Sequence, residues 1–371
     1  MRIIIAYASA GSGHRRAAEA IYRTFEKKYP EINTSLIDIL DYTNSLFANL
    51  YSQGYSLLVT HLKFIWAIGY RLTCLKSFRW FFNFICCLNC FRFGNLIVQE
   101  QPDIVLATHF FPAEIISYLK KRGKLSLRLI TIMTDFGVHP FWVFEDCDDY
   151  IVGSDYTCNH LVLKGINPNK IKVLGIPISS EFPVNYRRDR QRQGFTALLV
   201  TGSFGFSLIE KIVDMVYSEI NLLVVCGNNQ RLYNRLKRKH YAGAQLFGFT
   251  KEMPRLMSQA DIIVTKPGGL TIAEALAMEL PIIFIGGIPG QETENARVLE
   301  ACGCAIRAKR LKDIKDIILD LKAHSERLAL MRVNIQRFKK PNASEETCRY
   351  VMGTPYRLAQ RVSLDWQKGC P

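Results

Sequence analysis

Ten short apolar runs, each ending in small or polar residues, recur along this 371-residue chain and restrict what it can fold into. In the first half they are Arg2 to Tyr7, TSLIDIL, PDIVLATH, RLITIMTD and DYIVGSD; in the second, TALLVTGS, INLLVVCG, AQLFGF, ADIIVTKPGG and PIIFIGG. Continuous apolarity, rather than alternation, fits strands covered on both faces, as in a parallel sheet flanked by helices. Helical sequence or a loop follows each run, beginning with a pattern that sets Ala17, Ile21 and Phe25 on one face. The rhythm breaks at PVNYRRDRQRQG, residues 183–194, a charged stretch poor in apolar residues, and then restarts. The expected fold class is α/β: two Rossmann-like, doubly wound domains facing across a cleft. They are expected over residues 1–185 and 195–340, with a linker at 186–194 and terminal helices at 341–371 that cross back to the first domain.

Forty-eight Lys and Arg against 33 Asp and Glu leave a net charge of +15, which favours an anionic partner without choosing among nucleic acid, phosphate-bearing substrate and lipid surface. Eleven cysteines show no framework spacing, and the chain runs directly into a strand, so reduced thiols are expected. Cys87 and Cys90 form a CxxC with no second ligand pair at zinc spacing, and no metal is expected. There is no stretch of 18 apolar residues for a spanning helix. From Tyr42 to Gln99, however, no acidic residue occurs, while five basic residues are interleaved with fourteen aromatics. Such a segment reads either as a buried helical hairpin or as a face lying on a bilayer, with rings at headgroup depth and cations near lipid phosphates. Trp66, Arg79, Trp80, Phe81 and Phe82 are the candidate membrane and acceptor contacts. The clustering of these aromatics is too apolar for a solvated base-stacking platform, so no nucleic acid is expected.

Chemistry concentrates at the strand ends. Gly11-Ser12-Gly13 after the first strand resembles a dinucleotide fingerprint, with Asp38 about where a ribose-binding acid belongs. His14 changes that reading, because a histidine at a helix N-terminus sits in positive potential that disfavours the imidazolium and keeps a neutral base available. A histidine that merely caps the turn is the alternative. In the second half, Pro267-Gly268-Gly269 and Pro289-Gly290 each feed a helix, and two such N-termini beside Lys266 would seat a diphosphate. Glu274 is placed to accept from both hydroxyls of a ribose, and Gln291, Glu292 and Asn295 lie where a sugar is read. Asp146-Cys147-Asp148 has the DxD form of a metal site, but it stands before DYIVGSD in the first half and reads as a solvated turn.

The motifs GSGHRRAAEAI, MTDFGVHPFW, VVCGNNQRL, GFTKEMPRLMSQADIIVTKPGGLTIAEAL and PGQETEN resemble, in order, those of the monogalactosyldiacylglycerol synthase and processive diacylglycerol glucosyltransferase group of glycosyltransferase family 28. The likeness spans about residues 1 to 310. It implies the GT-B architecture, with a lipid acceptor on the first domain and UDP-glucose or UDP-galactose on the second. It implies that His14 is the base toward the acceptor hydroxyl, with Asp135 orienting it or replacing it and His139 nearby. For the donor it implies Lys266, Glu274 on the ribose, Gln291 and Glu292 on the hexose with Asn295, and Phe249 near the uracil, with Gly13, Ser203, Gly268, Gly269, Leu270 and Thr271 completing the contacts. The partners so implied are the UDP-sugar, diacylglycerol and anionic membrane lipids, with no cofactor, at the cytoplasmic face of a membrane. The rival readings are transfer to a polyprenyl-linked or other lipid, a UDP-sugar epimerase, and a catalytically idle UDP-sugar or lipid sensor.

Overall fold

The computed structural model describes residues 1–9, 11–73, 89–182, 194–200 and 208–353. It divides into two compact units: Met1–Ser180 together with the chain from Asn342 onward, and Glu181–Pro341. The expected linker thus lies almost wholly outside the described residues, as do Ser203, Arg79, Trp80, Phe81, Phe82 and Cys87.

In the first unit the elements run β1 (Arg2–Tyr7), α1 (Ser12–Lys28), β2 (Asn33–Asp38), α2 (Ser45–His61), α3 (Lys63–Leu72), α4 (Phe91–Glu100), β3 (Ile104–Ala107), α5 (Phe110–Lys121), β4 (Arg128–Ile132), β5 (Asp149–Ile151), α6 (Asp155–Leu163) and β6 (Ile171–Lys172). The six strands form one parallel sheet in the order β2-β1-β3-β4-β5-β6. Because side chains alternate along a strand, β1 divides itself between two cores. Ile4 and Ala6 pack with Phe93, Phe111 and Leu129, whereas Ile3 and Ile5 pack with Ile21 and Phe25 of α1. This is why the strand reads as one continuous apolar run.

The second unit repeats the plan: β7 (Thr196–Val200), α7 (Ile209–Val216), β8 (Asn221–Val225), α8 (Gln230–Arg238), β9 (Ala244–Phe247), α9 (Met253–Ser258), β10 (Ile262–Thr265), α10 (Gly269–Ala277), β11 (Ile282–Phe284), α11 (Gln291–Ala301), β12 (Ala305–Arg307), α12 (Asp313–Ala323) and α13 (Ser325–Phe338). Its sheet is again parallel and six-stranded, in the order β12-β11-β10-β7-β8-β9. Two Rossmann-like units are therefore present. The sheets each contain one strand more than the apolar runs reveal, β6 and β12, which are two and three residues long and sit at sheet edges.

The last described helix, α14 (Ala343–Gly353), belongs to the first unit. Cys348 and Val351 enter the core beside Ile21 and Phe25, and Ser344 Oγ donates to the Ile178 carbonyl at 2.6 Å. Tyr350 donates to Asp149 Oδ1 at 2.7 Å, while Asp149 Oδ2 holds Arg128 through Nε at 2.8 Å and Nη2 at 2.6 Å.

The described part of the acid-free segment is not a buried hairpin. Phe47 and Tyr51 of α2 pack on the core, yet Leu46, Leu50 and Leu57 of α2 and Phe64, Ile65, Ile68 and Leu72 of α3 are exposed, Phe64 by 78% and Leu46 by 76%. No helix among the described residues is long and apolar enough to cross a membrane.

Candidate active site

In open parallel sheets, ligands bind beyond the carboxyl ends of the strands where the strand order reverses. In the first unit the reversal falls between β1 and β3, and the histidine in question sits there. Gly11 caps α1 with φ at +127°, a conformation that strains any residue bearing a Cβ, and no side chain covers the helix start. Gly13 and His14, both half-buried, lie in the first turn that follows.

Two neighbouring strand ends supply the partners of His14. Its Nδ1–H donates to the carbonyl of Thr108, after β3, at 2.9 Å, and Thr134 Oγ1, after β4, is 2.8 Å from the same nitrogen. The Thr108 hydroxyl donates back to the His14 carbonyl at 2.9 Å. A carbonyl can only accept, so the proton of the neutral ring is on Nδ1 and the lone pair on Nε2. Burial lowers the His14 pKa, while the nearby Asp135 carboxylate and the Thr108 carbonyl oppose that shift. Asp135 is itself buried. The result is a histidine that stays neutral at neutral pH with Nε2 able to take a proton.

His139 is differently placed. Its Nδ1 accepts from the Phe141 N–H at 3.2 Å, and its Nε2 is 3.1 Å from Thr73 Oγ1, which gives its own proton to the Tyr70 carbonyl at 2.7 Å. Both ring nitrogens are thus engaged, tying the start of the Phe141-Trp142 turn to the end of α3. From there a run of rings leads to the base: His139 on Phe141 at 4.9 Å, Phe141 on Phe110 at 4.9 Å, Phe110 against Trp142 at 6.2 Å, and Trp142 6.4 Å from His14. Half-buried Trp66 lies beside Tyr70, 6.2 Å between centroids, on the same helix as the exposed apolar residues.

Asp38 is occupied structurally, since its Oδ1 accepts from Ser9 N at 3.3 Å and Leu40 N at 3.1 Å. Asp148 is not merely solvated: Lys120 pairs with it and Leu129 N donates to it at 2.7 Å. Among the described residues no group of three or more His, Cys, Asp or Glu is arranged to hold a metal.

In the second unit the reversal falls between β7 and β10, and the loops after β10 and β11 are joined by polar contacts. Lys266 Nζ donates to Glu292 Oε1 at 2.7 Å, Ile288 N donates to Glu292 Oε2 at 2.7 Å, and Asn295 Nδ2 donates to the Pro267 carbonyl at 3.1 Å. Gly287, with φ at +124°, lets this happen, because a Cβ there would stand 3.2 Å from the Pro267 ring. Gly268 and Gly290 precede α10 and α11, and neither helix start carries a side-chain cap. Gly269, Leu270 and Thr271 form the first turn of α10; Gln291 opens α11; Glu274 and Asn295 are buried. The structure therefore gathers Lys266, Gly268, Glu292 and Asn295 into one cluster. Phe249 is apart from it, 72% exposed on the loop after β9.

Thr108, His109 and Thr134 are parts of the first cluster that sequence reasoning did not single out. Their signal was available: each stands in a strand-end motif, ATH or MTD, adjoining the switch point.

The monogalactosyldiacylglycerol synthase family matches residues 14–178, and the glycosyltransferase family 28 C-terminal domain matches residues 196–347. A processive diacylglycerol beta-glucosyltransferase of Staphylococcus carnosus is 31% identical over 271 residues, 69% of this chain and 68% of that protein. The chain belongs to the diacylglycerol glycosyltransferase group of glycosyltransferase family 28. Its relative of the same name in Bacillus subtilis is 27% identical over 369 residues, covering 93% of both chains. Among solved structures, MurG of Acinetobacter baumannii superposes with a TM-score of 0.60 at 15% identity over 95% of this chain and 99% of that one, which is a likeness of fold. With these, the family 28 member has the GT-B fold, and the two clusters fall one in each matched domain.

Proposed function

We propose that this glycosyltransferase moves a hexose from a UDP-hexose to the free hydroxyl of diacylglycerol with inversion at the anomeric carbon. The carrying observation is the His14 ring, pinned at Nδ1 by Thr108 so that Nε2 alone can accept a proton. In this reading Nε2 takes the hydroxyl proton as the oxygen attacks the anomeric carbon, the bond to UDP breaks, and UDP leaves as the diphosphate anion. Asp135 stabilises the imidazolium that forms. His139, with both nitrogens engaged, orients the Phe141-Trp142 turn.

The donor reading assigns the diphosphate to the starts of α10 and α11 with Lys266, the ribose to Glu274, the hexose to Gln291, Glu292 and Asn295, and the base to the neighbourhood of Phe249. Helix N-termini and a lysine offset the charge developing on the leaving diphosphate, so the reaction is assigned no metal, and EDTA should leave its rate unchanged. The names of the relatives favour glucose over galactose. The exposed apolar faces of α2 and α3, in a segment without acidic residues, support peripheral seating on an anionic cytoplasmic leaflet.

The test is radiolabel transfer from UDP-glucose and UDP-galactose, in parallel, to dioleoylglycerol in anionic mixed micelles. Labelled glycolipid from UDP-glucose alone is the expected result. UDP binding without label in diacylglycerol from either donor would overturn the acceptor assignment and favour a polyprenyl-linked acceptor or a sensor.

A further inference from the structure

Beside His14 stands a second histidine that the proposed chemistry does not use. His109 is 3% exposed, and its ring centroid lies 4.4 Å from that of His14, with the planes at 79°. It is the N-cap of α5, where the Phe111 N–H donates to its Nδ1 at 3.0 Å. That bond fixes the tautomer, with the lone pair on Nδ1 and the proton on Nε2. Protonating His109 would surrender the cap and place a buried cation at the positive end of a helix, one ring away from His14. Burial and His14 accordingly push its pKa well below the ordinary histidine range.

The titratable groups around the His14 ring are few. Asp135, from the loop after β4, favours the imidazolium; His109, from the end of β3, adds no charge of its own; Arg15, next along α1, is bound to Glu19 at 2.7 Å. Enclosure outweighs Asp135, and the His109 ring stands in edge contact with His14 on one side of it.

We propose that His109 is a positioning residue that keeps His14 a neutral base, by shutting water from one side of its ring while the α5 cap locks His109 itself in a neutral tautomer. This rests on the reading of His14 as the base. The two roles of His109 separate by substitution. Asparagine supplies a cap acceptor without the ring, whereas phenylalanine supplies the ring without the acceptor.

In His109→Asn the cap is kept, and any fall in melting temperature reports only the loss of the buried ring. Water reaching His14 should raise its titration midpoint by about half a pH unit or more, read from ring NMR signals identified by their loss in His14→Ala. The acid limb of kcat/KM should move up with it, so that activity falls more at pH 6 than at pH 8. In His109→Phe the melting temperature should fall while the acid limb stays in place. An unmoved His14 titration in His109→Asn, or an equal shift in His109→Phe, would overturn the proposal. If His14→Ala keeps the rate while His109→Asn still moves the titration, the base reading falls and the enclosure of His14 by His109 stands.

Discussion

The Thr108 carbonyl accepts the Nδ1–H of His14 at 2.9 Å, and the Thr108 hydroxyl returns a hydrogen bond to the His14 carbonyl at 2.9 Å. One residue at the end of β3 thereby fixes both the tautomer of the ring and the first turn of the helix that carries it. The ring contact depends on backbone and the helix contact on side chain, so they can be taken apart. Thr108→Val keeps the shape and the carbonyl and removes only the hydroxyl. Losing one such bond costs about 1 kcal/mol, and the looser α1 start should lower kcat about tenfold. His14→Ala should cost about a hundred- to ten-thousand-fold, as for a positioned base. UDP affinity, by equilibrium titration, should be unchanged in both. A Thr108→Val enzyme with full kcat would show that the helix start needs no such tie.

The exposed faces of α2 and α3 make a prediction about lipid rather than about folding. Phe64 and Ile68 are one turn apart on α3 and exposed, so replacing both with Ser removes little from the folded chain. Burying two such side chains in a bilayer is worth about 3 kcal/mol or more. Flotation with anionic vesicles should therefore weaken by about a hundredfold in Phe64→Ser/Ile68→Ser, with the melting temperature held. Equal flotation of parent and variant would place the membrane contact elsewhere.

Among the polar contacts that hold α14 to the first unit, the one from Tyr350 can be removed alone. Tyr350→Phe takes the hydroxyl from Asp149 but leaves the ring 5.2 Å from the Arg128 guanidinium. A hydrogen bond to a buried carboxylate is worth about 1.5–3 kcal/mol, and urea unfolding should show a loss of that order. No shift in midpoint would mean that the remaining contacts of α14, those of Ser344, Glu345, Cys348 and Val351, suffice.

Acid should unfold the first unit early. His14 is lowered and His109 lowered well below the ordinary histidine value, both chiefly by burial, so near pH 6 the unfolded chain binds more protons than the folded one. Stability then rises with pH through the window between the folded values and about 6.5, and it is lost as pH falls through that window. Melting temperatures measured from pH 7.5 to 5 should fall most steeply below about pH 6.5. In His14→Ala the slope should be shallower. An unchanged slope would assign the acid sensitivity to other groups.

The apolar runs made the two sheets legible because each strand is covered on both faces, as β1 shows by dividing Ile3 and Ile5 from Ile4 and Ala6. β6 and β12 were not legible, since two or three residues at an edge carry no pattern. The position of His14 could be read from Gly11-Ser12-Gly13, but its clamp could not, because Thr108 and Thr134 are 94 and 120 residues away and meet His14 through strand order. That both nitrogens of His139 are engaged could not be read from the sequence, since Thr73 reaches it from the end of a separate helix. Asp38 has the spacing of a ribose ligand, and the structure shows its Oδ1 given to the turn it caps.

Lys266 and Glu292 form the pair that joins the loops after β10 and β11. Their side chains are 15% and 6% exposed, so removing one partner leaves the other charge buried. Lys266→Met should destabilise the second unit by about 3 kcal/mol, because the Glu292 carboxylate keeps only the Ile288 N–H at Oε2. Glu292→Gln should cost less, since its amide oxygen can still accept one of the two bonds. The double variant Lys266→Met/Glu292→Gln should recover part of the loss, because no unpaired charge then remains, and a double-mutant cycle on urea midpoints measures that recovery. UDP separates stability from donor binding. A ligand that binds only the folded form stabilises it by mass action, so UDP should raise the midpoint of the parent and raise that of the double variant little. If UDP protects the double variant as well as the parent, the pair holds the loops together without touching the diphosphate, and the donor role of Lys266 is withdrawn.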